Sequence, residues 1–115
     1  MKIPVTPLGK PRMTQMDKWK KRPVVLKYHA FKDDLRDHIT DLPEVLTITF
    51  HLPMPKSWSK IKQKEFEGAP HKSRPDLDNL LKAIMDAVLM EDSHIHTFKD
   101  CKKVWAYEGS IEIEN

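Results

Sequence analysis

The sequence has very little cysteine and glycine, and it has no long apolar run. Of its 115 residues, one is cysteine (Cys101) and three are glycine. A lone cysteine cannot form an internal disulfide, so we expect a reducing compartment rather than a disulfide-rich scaffold. No apolar stretch is long enough to cross a bilayer. The start, Met1–Pro4, also breaks before the apolar region of a signal peptide can develop. We therefore expect a cytoplasmic protein that does not associate with a membrane.

The length and composition predict one globular domain spanning residues 1–115. Hydrophobic residues make up 39% of the chain and charged residues 32%, a balance typical of soluble folded proteins. A core of this size is viable alone, although pairing with a second copy would strengthen it.

Charge is unevenly distributed along the chain. Residues 1–32 carry nine Lys or Arg and one acid, and residues 56–74 are also net basic. The segments 33–55 and 75–92 are net acidic. Clustered bases favour a polyanionic partner, because binding releases counterions from phosphates. Two charged loops facing solvent would give the same pattern, so charge alone does not decide between these interpretations.

Hydrophobic periodicity predicts the element order β, α, β, short α, α, β, β. The predicted strands are Ile3–Val5, 45–52, 94–99 and 111–114, and the predicted helices are 28–39, 57–66 with Ser57 as N-cap, and 77–90. A long basic loop is expected over 7–27. The fold class that follows is α/β (α+β): a single small domain with a mixed sheet of about four strands and helices packed on one face.

Carboxylates and a lysine cluster where the third helix begins. Asp76 stands at the helix entrance, and Asp78 lies one turn before Lys82. Asp78 and Lys82 share a face of the helix with Asp86. Two carboxylates at one helix start can converge on Mg²⁺, which binds a few carboxylates, water and phosphate oxygens. Lys82 can then stabilise negative charge on a phosphate. A second interpretation remains open: Asp76 only caps the helix, Asp78 only pairs with Lys82, and Asp86 is a plain surface or structural acid.

The run from Arg74 to Val88, RPDLDNLLKAIMDAV, followed by Glu91-Asp92, resembles the signature of the RusA family of Holliday-junction resolvases. The first acid of the family's later Asp-Asp pair is Glu91 here, a departure, but Asp92 is kept. The Pro53-x-Pro55 turn and the stretch Gly9–Met13 are similar to phage-type members of the same family. The resemblance spans nearly the whole chain, and the central motif is its specific part.

The resemblance implies a homodimeric, RusA-like endonuclease that binds four-way DNA junctions and nicks two strands symmetrically in recombination and repair. Magnesium, or manganese in its place, is the implied cofactor. Asp76, Asp78 and Asp92 would bind the metal, and Lys82 would be the catalytic lysine. A nuclease for another branched substrate, or a catalytically inactive branched-DNA-binding protein, is the alternative.

The position of Asp92 raises a geometric problem. If 77–90 is one continuous helix, Asp92 lies on the order of 20 Å along the axis from Asp78. Either the helix breaks or bends, or Asp92 serves the site of a partner subunit. We favour the composite site as a hypothesis.

Basic and aromatic residues outside the acidic motif are the candidate DNA contacts. Trp19 lies among lysines and either stacks on an unpaired base or anchors its loop. Lys102 follows from the resemblance, which places a lysine in the returning strand. The candidates are Arg12, Lys18, Trp19, Lys20, Lys21, Arg22, Lys27, Lys60, Lys62, Arg74 and Lys102, with Lys56 and Lys64 as further phosphate contacts.

Overall fold

The structure, a computed structural model, describes residues 1–11, 23–88 and 95–114. Its strands are β1 (Lys2–Ile3), β2 (Val45–Pro53), β3 (Thr97–Ala106) and β4 (Ser110–Glu114), and its helices are α1 (Pro23–Arg36), α2 (Lys60–Phe66) and α3 (Leu77–Val88). The strands form one sheet in the order β1-β4-β2-β3. The β2–β3 pair is parallel, and the β2–β4 and β1–β4 pairs are antiparallel. The predicted α+β class, element order and mixed four-stranded sheet are confirmed.

Strand β2 is the centre of the sheet, and its alternating sequence explains its burial. Leu46, Ile48 and Phe50 are at most 1% exposed, because every second side chain of a strand points to the same face. Thr47 and Thr49 point to the opposite face and are partly exposed. One face of the sheet therefore packs against helices, and the other presents polar side chains.

Helices α1 and α3 cover the apolar face of the sheet. Tyr28 and Leu35 of α1 are fully buried, as are Ala83 and Ile84 of α3. These side chains join the inward residues of β2 and β4 in one hydrophobic cluster. Full burial of a side chain such as Ile84 contributes about 1.5–3 kcal/mol, so the cluster holds α3 firmly against the sheet.

Two helix boundaries differ from the predicted ones. Helix α1 begins at Pro23 rather than near Tyr28, because the fixed backbone of proline suits a first helical turn, where its missing N–H is not needed. Helix α2 begins at Lys60, and the Oγ of Ser59, not of Ser57, accepts the N–H of Lys62 at 3.2 Å.

Strand β3 begins and ends later than predicted. It runs from Thr97 to Ala106 instead of ending at Lys99. The central residues of β3 are charged and the strand lies at the edge of the sheet, so apolar alternation does not predict its full length. Because the strand continues past Lys99, Lys103 lies on the helix-covered face and Lys102 on the opposite face.

Within the described residues, no helix has the length and apolar character needed to cross a membrane.

Candidate active site

The acidic motif is carried by the crossover between β2 and β3. Parallel neighbours require a long connection, and here that connection contains α2 and α3. The chain between the two helices runs beside the end of β3. The backbone of Trp105 accepts the N–H of Gly68 at 2.8 Å and donates to the carbonyl of Ala69 at 3.0 Å. His71 donates its N–H to the carbonyl of Lys103 at 3.0 Å. These bonds fix where the chain enters α3.

Lys103 ties down the loop that carries Asp76. Its ammonium donates to the backbone carbonyls of Ser73 at 2.5 Å and Pro75 at 2.7 Å. Lys103 pairs in register with Phe50, so its side chain lies on the helix-covered face of the sheet. Lys103 is not among the predicted site residues; a lysine at an inward position of a strand is the signal that would have indicated it.

Asp76 and Asp78 stand together at the start of α3. The carbonyl of Asp76 accepts the N–H of Leu80 at 3.1 Å, which places Asp76 at the helix boundary. Both aspartates are exposed. The free N–H groups of a helix start favour negative charge there. The structure therefore gathers these two predicted residues on one turn of chain.

The simpler structural roles considered for these residues are not seen among the described parts of the chain. Within residues 1–11, 23–88 and 95–114, the carboxylates of Asp76 and Asp78 make no hydrogen bond and no ion pair, and Lys82 is exposed and does not pair with Asp78. As far as the described residues show, these two acids and this lysine, all within two helical turns, are free to contact a cation and a phosphate.

A groove lies beside Asp76. It has a volume of 590 Å³, with Arg74, Asp76 and Asn79 on one wall and the N-terminal residues 7–11 on the other. The two walls touch at Gly9, where a Cβ atom would lie 2.7 Å from Nδ2 of Asn79. Glycine therefore permits the close approach of the two walls.

Asp86 does not belong to the open acidic face on which the helical spacing placed it. It accepts the hydroxyl of Tyr28 at 2.7 Å and pairs with Lys32 at 3.5 Å and Lys10 at 3.8 Å. Burial raises the pKa of Asp86, but the hydrogen bond from Tyr28 and the charges of the two lysines outweigh it, so the pKa lies below its ordinary value. Burial, followed by the hydrogen bond to Asp86, raises the pKa of Tyr28. Asp86 is an ionised structural acid that joins α1, α3 and the N-terminal segment.

An aromatic cluster packs between α2, the end of β3 and the chain that leads into α3. The Trp105 ring lies 4.8 Å from Trp58 and 4.1 Å from His71. Lys62 places its ammonium 4.3 Å above the ring of Trp58. His71 is 6% exposed, and its burial, followed by the charge of Lys103, lowers the pKa of its imidazole.

The predicted DNA contacts fall in several places. Arg74 lines the groove beside Asp76. Lys60 is exposed at the start of α2, and Lys27 is exposed on α1. Lys102 pairs in register with Thr49 and lies 3.7 Å from Asp100, on the sheet face that lacks helices. The predictions for Arg12, Lys18, Trp19, Lys20, Lys21, Arg22 and Asp92 fall outside the described residues.

The donor set at the helix start fits a hard divalent cation. Magnesium commonly binds one or two protein carboxylates and completes its shell with water and substrate phosphate. Asp76 and Asp78 provide such a pair. Among the residues that the structure describes, no three His, Cys, Asp or Glu side chains group closely enough to hold a metal. A third protein ligand would come from another part of the chain or from a second copy.

Comparison with known proteins identifies the family. Residues 4–114 match the sequence model of the family described as Endodeoxyribonuclease RusA. No curated protein and no solved structure matches the chain. The match covers nearly the full length and includes both the groove wall at Gly9 and the acidic motif, so this chain belongs to the RusA endodeoxyribonuclease family.

Proposed function

We propose that this protein is a magnesium-dependent endonuclease that resolves Holliday junctions by paired, symmetric nicks. The observation that carries the proposal is the pair of exposed carboxylates, Asp76 and Asp78, which have no partner among the described residues, in a chain of this nuclease family whose groove Asp76 lines. Unpaired acids oppose DNA binding unless a cation is bound between them and the phosphate. Their presence therefore favours catalysis over simple DNA binding.

The residues at the start of α3 have distinct roles in this proposal. Asp76 and Asp78 hold the cation, and Lys82, one turn beyond Asp78, stabilises the negative charge that develops on the phosphate. Arg74, on the groove wall, holds the DNA backbone close to the acids. Lys103 keeps the Asp76 loop in place through the carbonyls of Ser73 and Pro75. Manganese is the expected substitute for magnesium.

When bound, the divalent ion supplies a water of lowered pKa as nucleophile and partly neutralises the phosphate.

A homodimer matches the symmetry of the substrate. A four-way junction presents two equivalent strands, and two nicks require two sites related by a twofold axis. DNA contacts along both copies would align these sites with the junction arms. Lys60 and Lys62 of α2 and Lys27 of α1 are exposed cations suited to backbone contacts. The bases of segment 12–22 are proposed as further backbone contacts.

The third acid, Asp92, is proposed to enter the site of the partner subunit. Helix α3 carries the chain roughly 15 Å from Asp78 to Val88. On the C-terminal side of Asp92 in the sequence, the N–H of His96 bonds to the carbonyl of Glu44 at 3.1 Å. His96 lies about 20 Å along the strand direction from Lys103, the residue that holds the Asp76 loop. An Asp92 carboxylate would thus need a fully extended return path to reach Asp78 of its own chain, whereas a second copy has no such restriction.

The test of the proposal is cleavage of a synthetic four-way junction in the presence of magnesium. The wild-type protein should nick two strands of like polarity, and Asp78→Asn should abolish nicking while leaving junction binding intact. Asp37→Asn is the matched control, because it makes the same chemical change at an exposed site at the end of α1. Cutting that survives Asp78→Asn would refute the catalytic assignment. Preferential cutting of flaps or forks would identify a different branched substrate, and binding without cutting would identify a DNA-binding protein.

Subunit mixing tests the composite site separately. Asp76→Asn and Asp92→Asn subunits are each expected to be inactive alone. In a mixed dimer with composite sites, both substitutions fall in the same site and the other site is intact, so single-strand nicking should return. Mixed dimers that never regain nicking would contradict the shared site without affecting the junction-cleavage result.

A further inference from the structure

The N-terminal segment Leu8–Pro11 forms a wall of the groove and lies along the face of α3 that carries Asn79 and Asp86. Asp86 follows Asn79 by seven positions, so the two share one side of the helix, about 10 Å apart along its axis. Gly9 approaches the first of them and Lys10 the second. These two contacts at neighbouring positions fix the course of the segment across the helix.

Lys10 is held in place by a carboxylate that is itself fixed. Asp86 receives the Tyr28 hydroxyl at 2.7 Å, and Tyr28 is fully buried. Lys32, whose side chain is 15% exposed, approaches the same carboxylate at 3.5 Å. Lys10 is farther away, at 3.8 Å, and its side chain is 39% exposed. Asp86 therefore pairs with both lysines, and the more exposed ammonium of Lys10 has room to contact a second anion as well.

Cations lie on both walls of the groove that Asp76 lines. Arg74 lies on the wall that carries Asp76, and Lys10 lies on the opposite wall with Gly9 and Pro11. We expect a phosphodiester backbone that brings one phosphate to Asp76 to run between these walls. Neighbouring phosphates of the same strand are then within reach of the two cations.

We propose that Lys10 binds the DNA backbone phosphate next to the one that is cut, and that Asp86 is the positioning residue that holds Lys10 at the groove. The inference rests on the proposed nuclease function and adds a residue that the acidic motif does not contain. The Gly9–Asn79 contact sets how closely the Lys10 wall approaches the acids.

The first test measures the salt dependence of junction binding in metal-free buffer, where no cutting occurs. Removing one lysine that neutralises a phosphate should lower the slope of log Kobs against log salt by about 0.9. Lys10→Gln should therefore reduce the slope by about that amount for each copy that binds a phosphate through Lys10, and Lys10→Arg should retain it. Lys2→Gln is the matched control, because Lys2 is an exposed lysine of β1 whose replacement changes the net charge equally.

The second test asks whether Asp86 acts through Lys10. Asp86→Asn keeps an acceptor for Tyr28 but removes the charge that holds Lys10. It should raise the KM for junction cleavage several-fold with little change in kcat. The double variant Lys10→Gln/Asp86→Asn should be no worse than Lys10→Gln alone, because residues acting as one unit are not additive. Effects that multiply would overturn the positioning role.

Equal binding and cleavage by Lys10→Gln and Lys2→Gln would overturn the phosphate contact itself. This outcome is distinguishable from failure of the proposed function. If the proposed function were wrong, the wild-type protein would not cut the junction under any condition, whatever the salt slopes of its variants.

Discussion

Replacement of Lys103 by methionine should impair cleavage while preserving the fold. Methionine has a similar length but no charge and no N–H donor, so the variant removes both hydrogen bonds to the carbonyls of Ser73 and Pro75. The loop carrying Asp76 then loses its connection to β3. Since Lys103 contacts neither cation nor DNA in our account, any effect on cutting arises from the position of Asp76.

The size of the effect follows from the two bonds. A hydrogen bond with one charged partner contributes about 1.5–3 kcal/mol when water is excluded. Lys103 is only partly buried, so we discount each bond to about 1 kcal/mol because water can replace the carbonyl. A loss of about 2 kcal/mol in transition-state stabilisation corresponds to a fall of about 30-fold in kcat/KM for junction cleavage.

An NMR titration of His71 reports on the same substitution without any activity. The charge of Lys103 is the second cause, after burial, that lowers the pKa of His71. In Lys103→Met the pKa of His71 should therefore move up towards its ordinary value of 6.5.

Lys102→Met is the matched control, because the neighbouring lysine lies on the opposite sheet face beside Asp100. It should leave the His71 titration unchanged and reduce cleavage much less than Lys103→Met. The reasoning is refuted if both variants cut junctions equally well, or if Lys102→Met is the more damaging of the two.

Three further variants test the contacts around the site. Tyr28→Phe should lower the free energy of unfolding by about 1–2 kcal/mol, because the variant lacks the hydrogen bond to a partly exposed carboxylate; urea denaturation measures this, and the exposed Tyr107→Phe should change stability little. Gly9→Ala should reduce junction cleavage without a large change in the thermal midpoint, since the new Cβ would lie 2.7 Å from Asn79 Nδ2 and 3.2 Å from the Cβ of Pro75; unchanged cleavage would show that the groove wall does not matter. The lowered pKa of His71 means that the unfolded chain binds its proton first, so the stability linked to His71 is present above pH 6.5 and lost as pH falls through the folded-state pKa. His71→Phe should remove that part of the pH dependence, and an unaltered stability profile between pH 5 and 7 would contradict the assignment.

Local signals in the sequence were sufficient for the framework of the fold. Strict alternation in Val45–Pro53 and the apolar face of Leu77–Val88 predicted β2 and α3, and Pro75-Asp76 predicted where α3 begins. The predicted starts of α1 and α2 were wrong because the residues there are compatible with more than one boundary. Pro23 can end a loop or begin a helix, and Ser57 and Ser59 are both able to cap α2.

The parts of the site that depend on distant contacts could not be predicted. Asp86 meets Tyr28 across 58 residues of chain, and Lys103 reaches Pro75 across 28. Helical spacing placed Asp86 beside Asp78 and Lys82, because spacing describes one helix and not the helix packed against it. The local pattern alone places Asp76 and Asp78 together, since one short turn carries both, and their role as metal ligands stays a prediction. The role of Asp92 stays a prediction.

The central claim is that the carboxylate of Asp78 binds the cation on which cutting depends, and exchange of that ligand tests it most directly. A thiolate binds hard magnesium poorly and softer ions well, so the measurement is four-way-junction nicking by Asp78→Cys in Mg²⁺ and in Cd²⁺, beside wild-type protein in both ions. We predict that the variant is inactive in Mg²⁺ and recovers nicking in Cd²⁺ relative to the wild type. Nicking by Asp78→Cys in Mg²⁺ at the wild-type rate would contradict the account.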